Sequence, residues 1–330
     1  MRILFAAQEN SWGGFYHLIK AKLPGHNFEA TGQFKVESLK GFDVLIPTMC
    51  LVTQELLETG DRLKLIQQCG SGLEGVDLFA ASAKDIWVAN VPTGISGNAD
   101  SVAELGIYLM IGLSRDVRGM DRSLKNRKMG EPPGISLKGK TVGLIGLGGI
   151  GQALVKRLKL FGVRLIGVKR HNPQKACKKL GMEWVGSPQD IMELLKESDY
   201  VILCLPLTED NKGLIDHNAF QTMKKNSFLI NLSRGGLVDK TALLEALREK
   251  TIAGAGLDVF WEEPPDPDDP VFKYNVLATP HIAGSTDVSI HGIVKVVAEN
   301  ILRIEMGMEP FYQKNIKTHE KRPEFPGHKA

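Results

Sequence analysis

Short β-rich runs alternate with longer helical patterns along almost the whole chain, and this alternation restricts the fold more than any other feature. Strands joined by helical crossovers pair in parallel, so the expected class is α/β, with doubly wound parallel sheets. Four runs make a small first series: Arg2 to Ala7, Asp43 to Pro47, Leu63 to Gln68 and Ile86 to Ala89. A helical pattern follows from about Ala99 to Arg118, and a charged stretch after it ends at the cluster Pro132, Pro133, Gly134. A second series begins with TVGLI at Thr141. It continues with Val163 to Val168, Tyr200 to Cys204, Ser227 to Leu232, Ala253 to Val259 and Asn275 to Leu277. Six strands with helices between them match a full dinucleotide-binding sheet. A last helical pattern spans about Val288 to Ile304.

The 330 residues suffice for about two domains of 100 to 200 residues each. Lys and Arg number 41 against 38 Asp and Glu, a net charge of +3, which gives no reason to expect a nucleic-acid or membrane partner. That excess lies in the polar stretch from Phe311 onward, where Lys314, Lys317, Lys321, Arg322 and Lys329 face only Glu320 and Glu324. Residues 311–330 are therefore expected to form a flexible tail. Cys50, Cys69, Cys177 and Cys204 show no metal-ligand spacing, so no metal is expected and the thiols read as reduced. No leader pattern opens the sequence and no apolar run is long enough to span a bilayer, so the expected compartment is the cytoplasm.

The run GLGGIG, Gly146 to Gly151, has G-x-G-x-x-G spacing. By itself this is a weak signal, but an apolar strand precedes it, and Ile150, Leu154, Leu158 and Phe161 follow at helical spacing. In such a turn Gly146 permits the tight bend, Gly148 admits a pyrophosphate to the backbone and Gly151 lets helix and strand pack closely; Gly149 and Ile150 complete the contact. The helix start then offers partial positive charge to a diphosphate. An NAD site calls for an acidic residue at the end of the next strand, about 20 residues on. The strand here runs instead into Lys169, Arg170 and His171. Two cations attract a 2′-phosphate, so NADP(H) is expected over NAD(H); the plainer alternative is a pair of exposed surface cations.

Five ordered motifs now carry a resemblance. GLGGIG is followed by CLPLT (Cys204 to Thr208), MKKNSFLINLSRGGLVD (Met223 to Asp239), GLDVFWEEP (Gly256 to Pro264) and TPHIAGST (Thr279 to Thr286). From Leu63 to Arg303 the chain resembles the D-isomer-specific 2-hydroxyacid dehydrogenases, in particular those of glyoxylate/hydroxypyruvate reductase type. The resemblance implies a Rossmann cofactor domain at 100–284 inserted into a flavodoxin-like substrate domain formed by 1–99 and 285–330. It implies that Arg234 anchors the substrate, that His281 is the general acid or base, and that Glu263 pairs with that histidine. Their chemistry suits the roles: a guanidinium fork matches a carboxylate, and imidazole exchanges protons near neutral pH. A histidine in such a loop can equally be a structural one, and the neighbouring Glu262 competes with Glu263 for the pairing.

On the same resemblance Asp258 binds the nicotinamide carboxamide, while Leu205, Pro206, Leu232 and Ser233 run past the nicotinamide. Ser71, Gly72 and Leu73, in GSGLEGVD, are implied at the substrate carboxylate, although any strand-to-helix turn has this composition. Pro47 to Leu57 lacks the arginine of members acting on phosphorylated acids, and no regulatory domain follows the core, so phosphoglycerate is a poor substrate guess. Met49, Leu51, Leu73 and Trp261 are candidates to line an apolar pocket. The expected activity is hydride transfer between NADP(H) and a small 2-oxoacid, by an oxidoreductase that forms a homodimer. The alternatives are an NAD-linked dehydrogenase of another acid, or a dinucleotide-sensing regulatory protein on the same fold.

Overall fold

The computed structural model describes residues 1–315. The chain divides into two compact units, one of Met1–Asn98 with the chain from Ser285 onward, the other Ala99–Gly284.

The first unit is built on five parallel strands: β1 Arg2–Phe5, β2 Asn27–Ala30, β3 Val44–Ile46, β4 Leu65–Gln67 and β5 Trp87–Ala89. Their order, β2-β1-β3-β4-β5, is the flavodoxin-like one, with its reversal between β1 and β3. Period-two alternation sends Ile3 and Phe5 to one face and Leu4 to the other. Phe15, Tyr16 and Ile19 of the helix Ser11–Lys22, with Val294, Val297 and Ile301 of the helix Asp287–Glu305, cover the first face. Leu56, Leu57, Ala80 and Ala81, on two shorter helices, cover the second.

The sequence patterns give four strands here; the fifth, β2, has one buried residue, Phe28, in the run NFEA. The expectation of a flexible tail from residue 311 is corrected for 311–315. Gln313 bridges antiparallel to Ala89, the Lys314 amide donates to the Val88 carbonyl, and the Asn315 side chain binds the Ile86 carbonyl and the Val88 amide. The backbone edge of β5 supplies the partners that this polar stretch lacks in isolation. The rest of the expected tail lies outside the described residues.

The second unit carries seven parallel strands: β6 Thr141–Ile145, β7 Arg164–Val168, β8 Trp184–Gly186, β9 Tyr200–Leu203, β10 Phe228–Asn231, β11 Gly254–Leu257 and β12 Val276–Ala278. The order β12-β11-β10-β9-β6-β7-β8 reverses between β6 and β9, as in a dinucleotide-binding sheet with one added edge strand. Both faces are covered, so Tyr200 and Ile202 pack into one core and Val201 and Leu203 into the other. Six strands were expected; the seventh, β8, is a three-residue edge strand.

The helix expected over 99–118 is instead two, Asn98–Ser114 and Val117–Lys125. Asp116 breaks the run with φ of 46° and caps the second helix by accepting from the Gly119 amide at 2.9 Å. Among the described residues no helix is long and apolar enough to cross a membrane, and no cluster of three His, Cys, Asp or Glu is arranged to hold a metal ion.

Candidate active site

At the reversal point of the second sheet, β6 ends in the glycine turn, and the three glycines have three different steric reasons. Gly146 has φ of 100°, and a β-carbon there would lie 2.6 Å from the Cys204 carbonyl oxygen at the end of β9. A β-carbon on Gly151 would strike the Gly146 carbonyl, so this glycine lets the helix Gly149–Leu158 sit against the turn. Gly148 is different: nothing lies within 4 Å of where its β-carbon would be. It is the N-cap of that helix and contributes no side-chain cap. The open space and the helix's first amides are what a diphosphate requires. Thus the residues present fit a dinucleotide on internal grounds.

Other candidates around the turn divide by which part of them a ligand can reach. Leu232 and Ser233 are buried, with the Ser233 hydroxyl donating to the Leu203 carbonyl at 2.9 Å, and Leu205 packs on the core. These three have side chains committed to the sheet, whereas Pro206 is exposed. Ile150 is half-buried against the core. The Lys169 ammonium bends back to donate to the Leu147 carbonyl at 3.2 Å, and Arg170 beside it is exposed.

Arg234, Asp258 and His281 follow β10, β11 and β12, so all three stand at the carboxyl edge of the sheet, where ligands of open α/β folds bind. Arg234 is fixed through its backbone: the Asn231 side-chain Nδ2 donates to the Arg234 carbonyl at 2.8 Å and the Asn231 side-chain oxygen accepts from the Ser233 backbone amide. The next residue, Gly235, explains how this segment meets the acidic loop. A β-carbon there would overlap the carbonyl group of Phe260, so only glycine lets the arginine turn lie against the backbone of Phe260 and Trp261.

That loop delivers Glu263. One carboxylate oxygen accepts from the Phe260 amide at 2.9 Å, and the other meets His281 Nδ1 at 2.7 Å. It is Glu263, not Glu262, that faces the imidazole. Burial pushes the Glu263 carboxyl up, but the His281 hydrogen bond and charge, the Phe260 amide and the Arg234 charge together hold it below the ordinary range. The arginine and the histidine thus act on one carboxylate although they are 47 positions apart in the sequence (281 − 234). The histidine ring remains one-third exposed, so it is reachable.

His281 has φ of 54°, a left-handed conformation that costs a residue with a β-carbon of order 1–3 kcal/mol and persists only where neighbours enforce it. Asp258 supplies that enforcement. It is 1% exposed, and its oxygens accept from the Ile282 amide at 2.9 Å, the Ala283 amide at 3.0 Å and the Thr279 hydroxyl at 2.7 Å. Burial raises the Asp258 carboxyl above its usual range despite these donors and the His281 charge. These three hydrogen bonds leave acceptor capacity on the second oxygen for one more donor. Asn231 and Thr279 are residues that sequence reading passed over, although both lie within the motifs quoted for the resemblance.

Trp261, a candidate to line an apolar pocket, is only partly buried. Its indole N–H donates to the Val238 carbonyl at 2.6 Å, the ring packs on the core, and Lys240 lies over it. In the first unit, Ser71, Gly72 and Leu73 follow β4. The Asn90 side-chain Nδ2 donates to the Ser71 carbonyl at 2.7 Å, Leu73 packs partly into the core, and Leu51 is half exposed.

A reversing seven-stranded sheet with an open glycine at its turn defines a dinucleotide-binding unit. The profile described as D-isomer specific 2-hydroxyacid dehydrogenase, NAD binding domain, matches residues 107–283. Over 285 residues the chain is 40% identical to a D-3-phosphoglycerate dehydrogenase of Methanocaldococcus jannaschii, covering 84% of this chain but only 53% of that protein. It is 37% identical over 286 residues to a glyoxylate reductase of Thermococcus litoralis, covering 83% of this chain and 84% of that one. Among solved structures, an NADPH-dependent glyoxylate/hydroxypyruvate reductase from Sinorhizobium meliloti, in complex with NADP and malonate, superposes with a TM-score of 0.81 at 26% identity, covering 95% of this chain and 96% of that one. The chain belongs to the D-isomer specific 2-hydroxyacid dehydrogenase family. It spans about half the length of the phosphoglycerate dehydrogenase it matches.

Proposed function

We propose that the protein reduces a small 2-oxoacid of the glyoxylate or hydroxypyruvate kind to its D-2-hydroxyacid, with NADP(H) preferred over NAD(H). The observation that carries this reading is the Glu263–His281 pair at 2.7 Å, whose carboxylate also feels the charge of Arg234. The bound dinucleotide supplies the hydride. Arg234 holds the substrate carboxylate and stabilises the negative charge that grows on the carbonyl oxygen. His281 gives its proton to that oxygen, and Glu263 holds the imidazole in place through Nδ1, leaving Nε2 to face the substrate.

The second unit holds the dinucleotide through Gly146, Gly148, Gly149, Ile150 and Gly151, with Leu205, Pro206, Leu232 and Ser233 along the nicotinamide and Asp258 at its carboxamide. The cofactor preference rests on Lys169 and Arg170 and on the missing acid at the end of β7, and it accords with the NADP complex of the Sinorhizobium reductase.

The test is an absorbance assay with NADPH and NADH against a panel of 2-oxoacids, run in reverse with 3-phosphoglycerate, since one relative carries that name. Expected are turnover of glyoxylate or hydroxypyruvate, faster with NADPH. The variant Arg234→Gln should lose both binding and turnover, and His281→Ala should lose about 100-fold or more in kcat. Wild-type kinetics in either variant removes that residue's role, and faster turnover with NADH removes the cofactor preference. A homodimer is the expected assembly, to be checked by light scattering.

A further inference from the structure

The proton-transfer step proposed above needs an imidazole held still, and His281 is held in a backbone conformation that its own residue type disfavours. Glu263 fixes the ring at Nδ1, but a hydrogen bond to a ring nitrogen does not set φ. What sets it are the amides of Ile282 and Ala283, immediately after the histidine, both donated to Asp258, and on the other side the His281 amide, which donates to the Thr279 carbonyl at 3.0 Å. Thr279 joins these two sides. Its amide is anchored to the Leu257 carbonyl at 2.9 Å, one residue before Asp258, and its hydroxyl donates to Asp258 Oδ1 at 2.7 Å, the same oxygen that takes the Ile282 amide.

The hydroxyl therefore closes a ring that runs from Thr279 through His281 to Ile282 and back through one buried oxygen. We infer that Thr279 is a positioning residue for His281: by clamping Asp258 it fixes the left-handed turn that aims the imidazole. This inference rests on the reading of His281 as the proton donor. It concerns a residue to which no substrate contact is assigned here, since its hydroxyl is already directed at Asp258.

A misplacement of about 1 Å at a reacting group is enough to cost about 100-fold in rate. The test is a comparison of Thr279→Val, which keeps the shape and loses the hydroxyl, with Thr279→Ser, which keeps the hydroxyl. Expected for valine is a fall in kcat of about 10- to 100-fold with the KM for the 2-oxoacid within about threefold of wild type, because Arg234 is untouched. Serine should restore kcat to within about threefold.

Hydrogen exchange on the folded protein without substrate gives a readout independent of turnover: exchange at the amides of Ile282 and Ala283 should quicken in the valine variant, while β10 and β11 exchange as in wild type. Should valine not fold, Thr279→Ala takes its place, with the same split expected. An unchanged kcat in the valine variant, a serine variant as impaired as valine, or unaltered exchange at 282 and 283 overturns the inference. If even the wild type reduces no 2-oxoacid, the functional reading falls instead, and the exchange experiment still decides whether Thr279 clamps the loop.

Discussion

Gly148→Ala separates the folding role of the glycine turn from its binding role. The structure places nothing within 4 Å of the added methyl, and φ at this position is −79°, so alanine meets no neighbour and no left-handed strain. Removing glycine's freedom in the unfolded chain gains about 0.4–1 kcal/mol, and replacing glycine by alanine at an N-cap loses a comparable amount. The net change in the free protein is thus within about 1 kcal/mol of zero, which for a unit of this size is a Tm shift of no more than about 2–4 °C. The bound state is another matter.

A methyl group in that space keeps a phosphate from reaching the backbone amides, and one lost hydrogen bond to a charged group is worth about 1.5–3 kcal/mol. The dinucleotide should bind roughly 10- to 150-fold more weakly. The assay pairs a thermal melt without cofactor against a titration of NADPH and NADH by quenching of tryptophan fluorescence. An unchanged melt with unchanged affinity for both nucleotides refutes the claim that the diphosphate lies on this turn; a melt lowered by 10 °C refutes the claim that the space is empty.

Gly235→Ala should behave in the opposite way, because its added methyl collides with rigid backbone at Phe260 and Trp261; overpacking of this kind costs about 1–3 kcal/mol, read as a Tm lowered by roughly 2–12 °C even without ligand, and a melt matching wild type contradicts it. Acid unfolding tests Glu263. Its carboxyl is depressed in the folded protein, so its ionisation contributes stability above the unfolded value of about 4.3, and this is lost as pH falls through the folded value. Glu263→Gln should flatten that part of the urea midpoint against pH curve. Asp258, raised by burial, acts in the reverse sense, stabilising as pH falls, so the difference between wild type and variant is the quantity to measure. Replacing Lys169 and Arg170 together by alanine should weaken NADPH more than NADH. An equal loss for both would show that Lys169, already bonded to the Leu147 carbonyl, serves the turn rather than a phosphate.

What could be read in advance was whatever the period of the sequence repeats. Strands buried on both faces, such as TVGLI and YVIL, appear as unbroken apolar runs, and the glycines of the turn keep their spacing because each answers a separate steric demand. The two edge strands escaped notice because NFEA and WVG each bury one residue and show too little alternation. The break at Asp116 was invisible because an aspartate in a left-handed cap looks, in sequence, like any charged residue on a helix.

At the candidate site the side chains with evident chemistry, Arg234, Glu263 and His281, could be picked out within motifs. Their supports could not. Asn231 acts through side-chain hydrogen bonds to groups 2 and 3 positions away and Thr279 through its hydroxyl to a carboxylate 21 positions away, and no pattern in the chain marks such pairings. The bond from Trp261 to the Val238 carbonyl was unmarked for a related reason: a large apolar residue beside an acidic loop says nothing about where its indole N–H will find an acceptor.

Residues 313–315 lie along β5 and use up hydrogen-bonding groups that an outer strand otherwise leaves open. The first unit is thereby sealed by a segment that leaves the ribosome more than 200 residues after the strand it covers. Until that segment emerges, the growing polypeptide carries an uncovered sticky margin, one to which another chain can add. Shortening the protein back to the end of its last long helix would make that passing vulnerability permanent.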